Sequence, residues 1–138
     1  MNIAEKSAVT ITVDDYDQLA DLAEITRDAM PERSRHLQQE LDRAKLVTQA
    51  DPDSVRMGSH VRFRDHESGR VHDIRLVYPA VSNFSDGQLS VLTPVGCALL
   101  GQRVGSTALY RDAAGRNRPL TVIAVHPPPG LTESPDPS

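Results

Sequence analysis

Cysteine and long apolar runs are both scarce in this sequence of 138 residues. The single cysteine, Cys97, cannot form an intrachain disulfide, and a lone thiol behind a polar N-terminal stretch predicts a protein of the reducing cytoplasm. No stretch approaches the roughly 20 consecutive apolar residues that a membrane-spanning helix needs. We therefore expect a cytoplasmic protein that does not contact a membrane.

Positive charge is also in short supply, since 15 Lys and Arg face 19 Asp and Glu and the formal net charge is −4. Proteins that bind nucleic acid through its phosphates are usually basic, so we expect no direct sequence-specific contact with nucleic acid. Aromatic residues are few, with 3 Tyr, 2 Phe and no Trp. Because base-binding sheets rely on aromatic platforms, this composition disfavours such a function and leaves a protein partner open.

The usual signatures of catalysis and metal binding are missing as well. None of the 5 histidines pairs with another His or with Cys at a metal-ligand spacing. Cys97 lies between Gly96 and Ala98 in an apolar stretch, which favours a small buried side chain over a nucleophile. Glu40 and Asp42 stand two apart on a predicted helix and so face different directions. We predict no catalytic residue, no metal and no cofactor.

The first part of the chain combines a short strand pattern with a helical one. Residues 9–13 alternate and are rich in β-branched side chains, which predicts a strand. Apolar residues at helical spacing then predict a helix over 15–30, with Asp14 or Asp15 as its N-cap.

A proline separates this helix from a second one. Pro31 cannot continue a helix, so we predict a turn that ends at Ser34, the N-cap of a second helix reaching Leu46. Two helices with a short connection are usually antiparallel neighbours. We therefore predict that residues 1–50 form a short antiparallel helical hairpin, which is a small coiled coil.

The pattern changes from helical to alternating beyond the polar segment 51–53. The apolar stretch that Pro94 opens, 95–101, predicts one or two helical turns, with Pro94 at the first helical position and Gly101 just past the end. Alternating or β-rich segments predict strands at 61–64, 71–78, 89–92, 107–110 and 120–126. These elements predict a mostly antiparallel sheet with a short helix.

The predicted fold class is therefore α+β, in three parts. The helical hairpin occupies residues 1–50, and the sheet domain occupies residues 51–126. The proline-rich segment 127–138 has too little apolar surface to offset its conformational entropy, so we expect a disordered tail.

Three stretches of the sequence carry a family resemblance. They are Gly58–Arg64, Leu76–Ala80 and, most specifically, Leu89–Gly105. The last has the order S-x-x-[ST]-P-x-G-x-A-L-x-G-x-x-V-G, which resembles the signature of the C-terminal domain of the Gre transcript-cleavage factors. With residues 40–44 of the hairpin included, the chain resembles the Rnk-like branch of that family more closely still, over about 10–126.

The resemblance implies an FKBP-like C-terminal domain that binds RNA polymerase at the rim of its secondary channel. It points to Ser90, Thr93 and Pro94 as polymerase-binding residues, although a purely structural role in core and turn stays open for all three. Leu99 and Leu100 would support this loop from below, chiefly as core residues.

The hairpin departs from the Gre pattern. In Gre factors a long coiled coil enters the channel, and acidic residues at its tip help to hold a catalytic magnesium ion. Here two helices of about 13–16 residues would reach only about 20–24 Å at 1.5 Å per residue. The hairpin tip has Asp28 and Glu32, flanked by Arg27, Arg33 and Arg35, whose guanidinium groups oppose magnesium binding.

These observations predict a non-enzymatic, monomeric transcription regulator that binds RNA polymerase and competes with Gre-type factors without stimulating transcript cleavage. An effect on nucleoside diphosphate kinase, implied by the Rnk-like resemblance, would be indirect and act through transcription. The alternative is a cleavage-stimulating elongation factor with a shortened coiled coil. A prolyl isomerase rests on fold analogy alone and is disfavoured by the scarcity of aromatic residues.

Overall fold

The computed structural model describes residues 9–49, 51–79 and 87–127, and within these ranges the chain forms three helices and seven strands. In chain order the elements are β1 Thr10–Thr12, α1 Val13–Ile25, α2 Pro31–Arg43, β2 Lys45–Val47, β3 His60–Asp65, β4 Val71–Val77, β5 Gln88–Ser90, α3 Pro94–Leu99, β6 Thr107–Arg111 and β7 Asn117–His126. The predicted α+β class, a helical hairpin followed by a mostly antiparallel sheet with a short helix, is confirmed.

The two helices of the hairpin begin elsewhere than predicted. Thr12, and not Asp14 or Asp15, caps α1, because its hydroxyl accepts the N–H of Asp15 at 3.2 Å. The helix ends at Ile25, before the predicted end at residue 30. Thr26 closes it by donating its hydroxyl to a carbonyl of the last turn, at 2.8 Å.

The predicted turn from Pro31 to Ser34 is wrong, because α2 starts at Pro31 itself. Proline is well suited to the first helical position, where its missing N–H would have no partner and its φ is already helical. Ser34 therefore lies inside the helix. Its hydroxyl donates to the carbonyl of Ala23 at 2.6 Å and ties α2 to α1.

The second helix is also shorter than predicted. It ends at Arg43, and residues 45–47, whose first two were expected to be helical, form the strand β2. This strand pairs in parallel with β1, so that Leu46 lies opposite Ile11. Pairing with a distant segment overrides the local helical pattern here.

The sheet has the order β5-β4-β3-β7-β6. All its pairs are antiparallel except β4 with β5. The predicted cap residues of α3 are confirmed: Pro94 occupies the first turn, and Gly101, with φ of 76°, follows the C-cap. Val61 and Phe63 of β3 point into the core, whereas His60 and Arg62 alternate with them on the outer face.

One hydrophobic cluster runs from the hairpin into the sheet. Leu19 and Leu37 of the helices are fully buried in the same cluster as Leu99 of α3 and Leu120 of β7. The division of the chain into 1–50 and 51–126 nevertheless remains a prediction.

Polar contacts join the same two parts. The carboxylate of Asp15 accepts the backbone N–H of Met57 at 3.3 Å and pairs with Arg56 at 3.4 Å. The N–H of Thr10 donates to the carbonyl of Gly101 at 3.3 Å.

Some sequence predictions fall beyond these ranges. The first eight residues, residues 80–86 and the proline-rich tail after Pro127 lie outside the described residues. Among the helices of the described ranges, none is long and apolar enough to cross a membrane.

Candidate functional site

The turn between β5 and α3 holds three of the residues that the sequence singles out. The hydroxyl of Ser90 accepts the N–H of Leu92 at 3.0 Å, and its carbonyl accepts the hydroxyl of Thr93 at 2.7 Å. Thr93 then caps α3 by accepting the N–H of Gly96 at 3.0 Å. Both hydroxyls are thus used within the turn, which fixes its shape.

Close packing behind this turn explains a glycine of the motif. A Cβ atom on Gly96 would lie 2.2 Å from the carbonyl oxygen of Ser90, so no other residue fits without a shift of the backbone. Gly101 at the other end of α3 has a left-handed backbone, and a Cβ there would lie 2.3 Å from a methyl group of Val9. The two glycines seat α3 against the end of β5 and against the N-terminal strand.

The predicted polymerase-binding residues differ in how much surface they offer. Pro94 is exposed, and Ser90 and Thr93 are half-buried. Leu99 and Leu100 are 0% and 1% exposed, so they belong to the core and offer no surface to a partner. The structure brings all five residues together around α3, with Pro94 as the outermost.

Cys97 lies on the buried side of α3. Burial, with a smaller contribution from the negative charge of Glu40, raises the pKa of its thiol to about 12. A thiol with so high a pKa carries little thiolate near neutral pH, and the thiolate is the nucleophilic form. The side chain is a packing residue, as predicted.

The hairpin lies beside the turn. A guanidinium nitrogen of Arg33, near the start of α2, donates to the carbonyl oxygen of Leu92 at 3.4 Å. The sequence marks Arg33 only as a charge near the hairpin tip, because no local pattern reports a contact with a segment so far along the chain. A shallow groove beside α2 is also lined by Pro94 and Ala98 of α3.

The hairpin tip carries both signs of charge and some apolar surface. Asp28 and Glu32 are exposed, as are Arg27, Arg33 and Arg35. Within the described ranges, no group of three or more His, Cys, Asp or Glu side chains is placed to hold a metal ion.

Apolar side chains at the tip were not foreseen. Ile25 is 75% exposed and Met30 40% exposed. Ile25 is the last residue of α1, and Met30 is the N-cap of α2.

Known protein families match both the N-terminal hairpin and the sheet domain. Residues 49–127 match the family described as "Transcription elongation factor, GreA/GreB, C-term", which is more than half of the chain, and residues 8–47 match "Rnk N-terminus". The chain therefore belongs to the GreA/GreB transcription elongation factor family. Within that family, its N-terminal hairpin is of the kind described for Rnk.

Individual relatives bear out the same assignment. The chain is 43% identical over 89 residues to the "Regulator of nucleoside diphosphate kinase" of Escherichia coli, a match that covers 63% of this chain and 65% of that protein. It is 31% identical over 116 residues to the "Transcription inhibitor protein Gfh1" of Thermus thermophilus, covering 82% of this chain and 74% of that one. The match to the E. coli protein thus spans a little under two thirds of its length.

A solved structure supports the fold. The GreA/GreB transcription elongation factor from Nitrosomonas europaea superposes with a TM-score of 0.68 at 30% identity. The match covers 86% of this chain and 99% of the other.

Proposed function

We propose that this protein is a non-enzymatic transcription regulator that binds RNA polymerase near the rim of the secondary channel. The turn before α3 makes the contact, and the protein competes there with Gre-type factors without stimulating transcript cleavage. Membership of the GreA/GreB family supports polymerase as the partner. The observation that carries the choice of surface is the fixed turn with an exposed Pro94 at its outermost point.

Rigidity of the turn favours docking. Hydrogen bonds within Ser90–Gly96 hold its shape before any partner arrives, so little conformational entropy is lost on binding. Leu99 and Leu100, which are buried in the core, anchor the end of the helix that follows the turn. Pro94 then presents an apolar ring that a partner can cover at small cost in desolvation.

The hairpin favours a regulator over a cleavage factor. Each of its helices has 13 residues, which is about 20 Å at 1.5 Å per residue. At its end, Asp28 and Glu32 stand among three arginines, so the tip has little net negative potential with which to recruit Mg²⁺. The contact from Arg33 to Leu92 also holds α2 beside the docking turn.

The printed names of two relatives fit this proposal. One is called a transcription inhibitor and the other a regulator of nucleoside diphosphate kinase. For this chain we propose an indirect effect on that kinase, through transcription. We further propose that it acts in the cytoplasm as a monomer and that residues 51–126 carry the docking surface.

The test is binding to core RNA polymerase in competition with a labelled Gre factor. Pro94→Glu should weaken binding by about tenfold or more, because the new carboxylate must be desolvated at the interface. An acidic residue is favourable in the first turn of a helix, so the variant should fold normally. Val71→Glu is the matched control, since it places the same charge on an exposed apolar site of the sheet.

The proposal fails if the wild-type chain does not bind polymerase. Equal binding by Pro94→Glu and Val71→Glu, with both variants folded, would show that the turn is not the contact surface.

A further inference from the structure

The outer face of the sheet carries a row of hydrogen-bond donors. The strand register places Arg75 of β4 opposite His60 of β3, and His60 opposite His126 of β7. On the other side, Gln88 of β5 is aligned with Arg75. Directly opposed side chains on one face of a sheet lie about 5 Å apart, so these four residues form a continuous line across four strands.

All four line one cleft with a volume of about 530 Å³. This volume falls within the range of roughly 300–1,000 Å³ that is typical of small-molecule sites. The cleft is separate from the turn before α3 and has no part in the proposed contact with polymerase.

The negatively charged side chain in the cleft is already paired with an arginine. Asp73 is the one acid among its described lining residues, and Arg62 donates to both its oxygens at 2.9 and 3.3 Å. This hydrogen bond from Arg62 is the main cause of the lowered pKa of the Asp73 carboxyl, and His60 makes a smaller contribution. The guanidinium of Arg75, by contrast, has no carboxylate partner among the described residues.

Arg75 also has an unused donor. Its Nε is buried and has no hydrogen-bond partner in the part of the chain that the structure describes. Most buried polar groups in folded proteins are hydrogen-bonded, and a buried donor without an acceptor is destabilising. An anion in the cleft would offset the positive charge of this guanidinium, which no carboxylate among the described residues neutralises.

We propose that this cleft binds a small oligophosphate anion, either free or carried by a nucleoside. Arg75 is its main ligand, because the planar fork of guanidinium donors matches a phosphate group. His60, His126 and Gln88 donate to further oxygens along the row. From Arg75 through His60 to His126 the row crosses two strand spacings, which is about 10 Å. This length favours linked phosphates over a single phosphate.

The net charge of the protein and the small size of the cleft disfavour a longer polyanion as the ligand. With a net charge of −4, the protein as a whole repels nucleic acid, whereas the cleft is a confined region of positive charge. A small anion can use that region without meeting the acidic remainder of the surface.

The experiment is calorimetric titration of the full chain with inorganic pyrophosphate, at an ionic strength of about 0.1 M. A second titration uses adenosine diphosphate, and a third a short single-stranded DNA oligonucleotide. Pyrophosphate or the nucleotide should bind, and the tighter of the two identifies the free or the nucleoside-borne form.

Arg75→Gln should weaken this binding by about tenfold or more, through the loss of a charge-assisted contact. Arg64→Gln removes the same charge from an exposed position on the outer face of β3, outside the cleft, and should leave binding unchanged. His60→Gln provides a second variant within the row if Arg75→Gln does not fold, and it should weaken binding as well.

Absence of heat with both pyrophosphate and adenosine diphosphate would overturn the proposal. An equal loss of affinity in Arg64→Gln and Arg75→Gln would overturn it too, because it would reveal general attraction to a basic face. Binding of the oligonucleotide alone would assign the face to nucleic acid instead.

Discussion

The carbonyl oxygen of Ser90 lies where a side chain on Gly96 would have to go, 2.2 Å from the position of a Cβ atom. The end of β5 and the first turn of α3 are therefore in backbone contact. This contact shapes the turn that we propose as the docking surface.

Gly96→Ala should both destabilise the protein and distort that turn. The added methyl group forces the backbone apart, at a cost of about 1–3 kcal/mol or more in the free energy of unfolding. Gly115→Ala is the comparison, because nothing lies within 4 Å of its Cβ position and only its φ of 82° is unfavourable. Thermal unfolding should show a larger loss for Gly96→Ala, and polymerase binding should fall in that variant alone. Equal melting temperatures would contradict the close contact.

The hairpin depends on buried leucines. Leu41 is 2% exposed within the shared core cluster, so Leu41→Ala should lower the free energy of unfolding by about 2–5 kcal/mol. Leu46→Ala makes the same change at a site that is 47% exposed and should cost much less. Denaturant unfolding followed by circular dichroism measures both. Similar losses in the two variants would mean that the hairpin is not packed as described.

Stability on the acid side should depend on Asp112. A hydrogen bond from the guanidinium of Arg118, together with the N–H of Arg116 at 2.9 Å, lowers the pKa of the Asp112 carboxyl. A carboxyl with a lowered pKa stabilises the fold above its unfolded pKa of about 4, and this contribution is lost as the pH falls through the folded pKa.

In Asp112→Asn, the melting temperature should therefore fall at neutral pH and depend less on pH below about 4. Asp17→Asn, on the exposed side of α1, removes the same charge without that ion pair and serves as the control. Parallel pH profiles for the wild type and Asp112→Asn would contradict the assignment.

Sequence patterns predicted those elements whose signals are local. The start and end of α3 follow from Pro94 and Gly101, whose roles depend only on the backbone of the same short segment. The strand β2 depends on β1 pairing with residues 45–47, and a helical pattern along the chain does not contain that information.

The candidate site divides in the same way. Its motif residues could be identified from sequence, and burial then separates the core residues Leu99 and Leu100 from the exposed Pro94. The contact from Arg33 to Leu92 joins two distant segments, and the cleft around Arg75 arises only from the register of four strands. Neither could be found without the fold.

Transcript cleavage gives the clearest test of the proposed mechanism. In a stalled elongation complex with labelled nascent RNA, this protein alone should leave the RNA length unchanged. A cleavage factor must bring carboxylates to the catalytic magnesium ion, and a hairpin of two 13-residue helices ends about 20 Å from its base. Its tip also places three arginines around Asp28 and Glu32.

Competition completes the same assay. Added in excess with a Gre factor, the wild-type protein should suppress Gre-dependent shortening of the RNA, whereas Pro94→Glu should not, because only the variant fails to hold the rim. Shortened RNA with this protein alone, lost in Asp28→Asn or Glu32→Gln, would instead establish a cleavage factor with a shortened coiled coil. Undiminished Gre activity at saturating wild-type protein would show that the two proteins bind different surfaces of the polymerase.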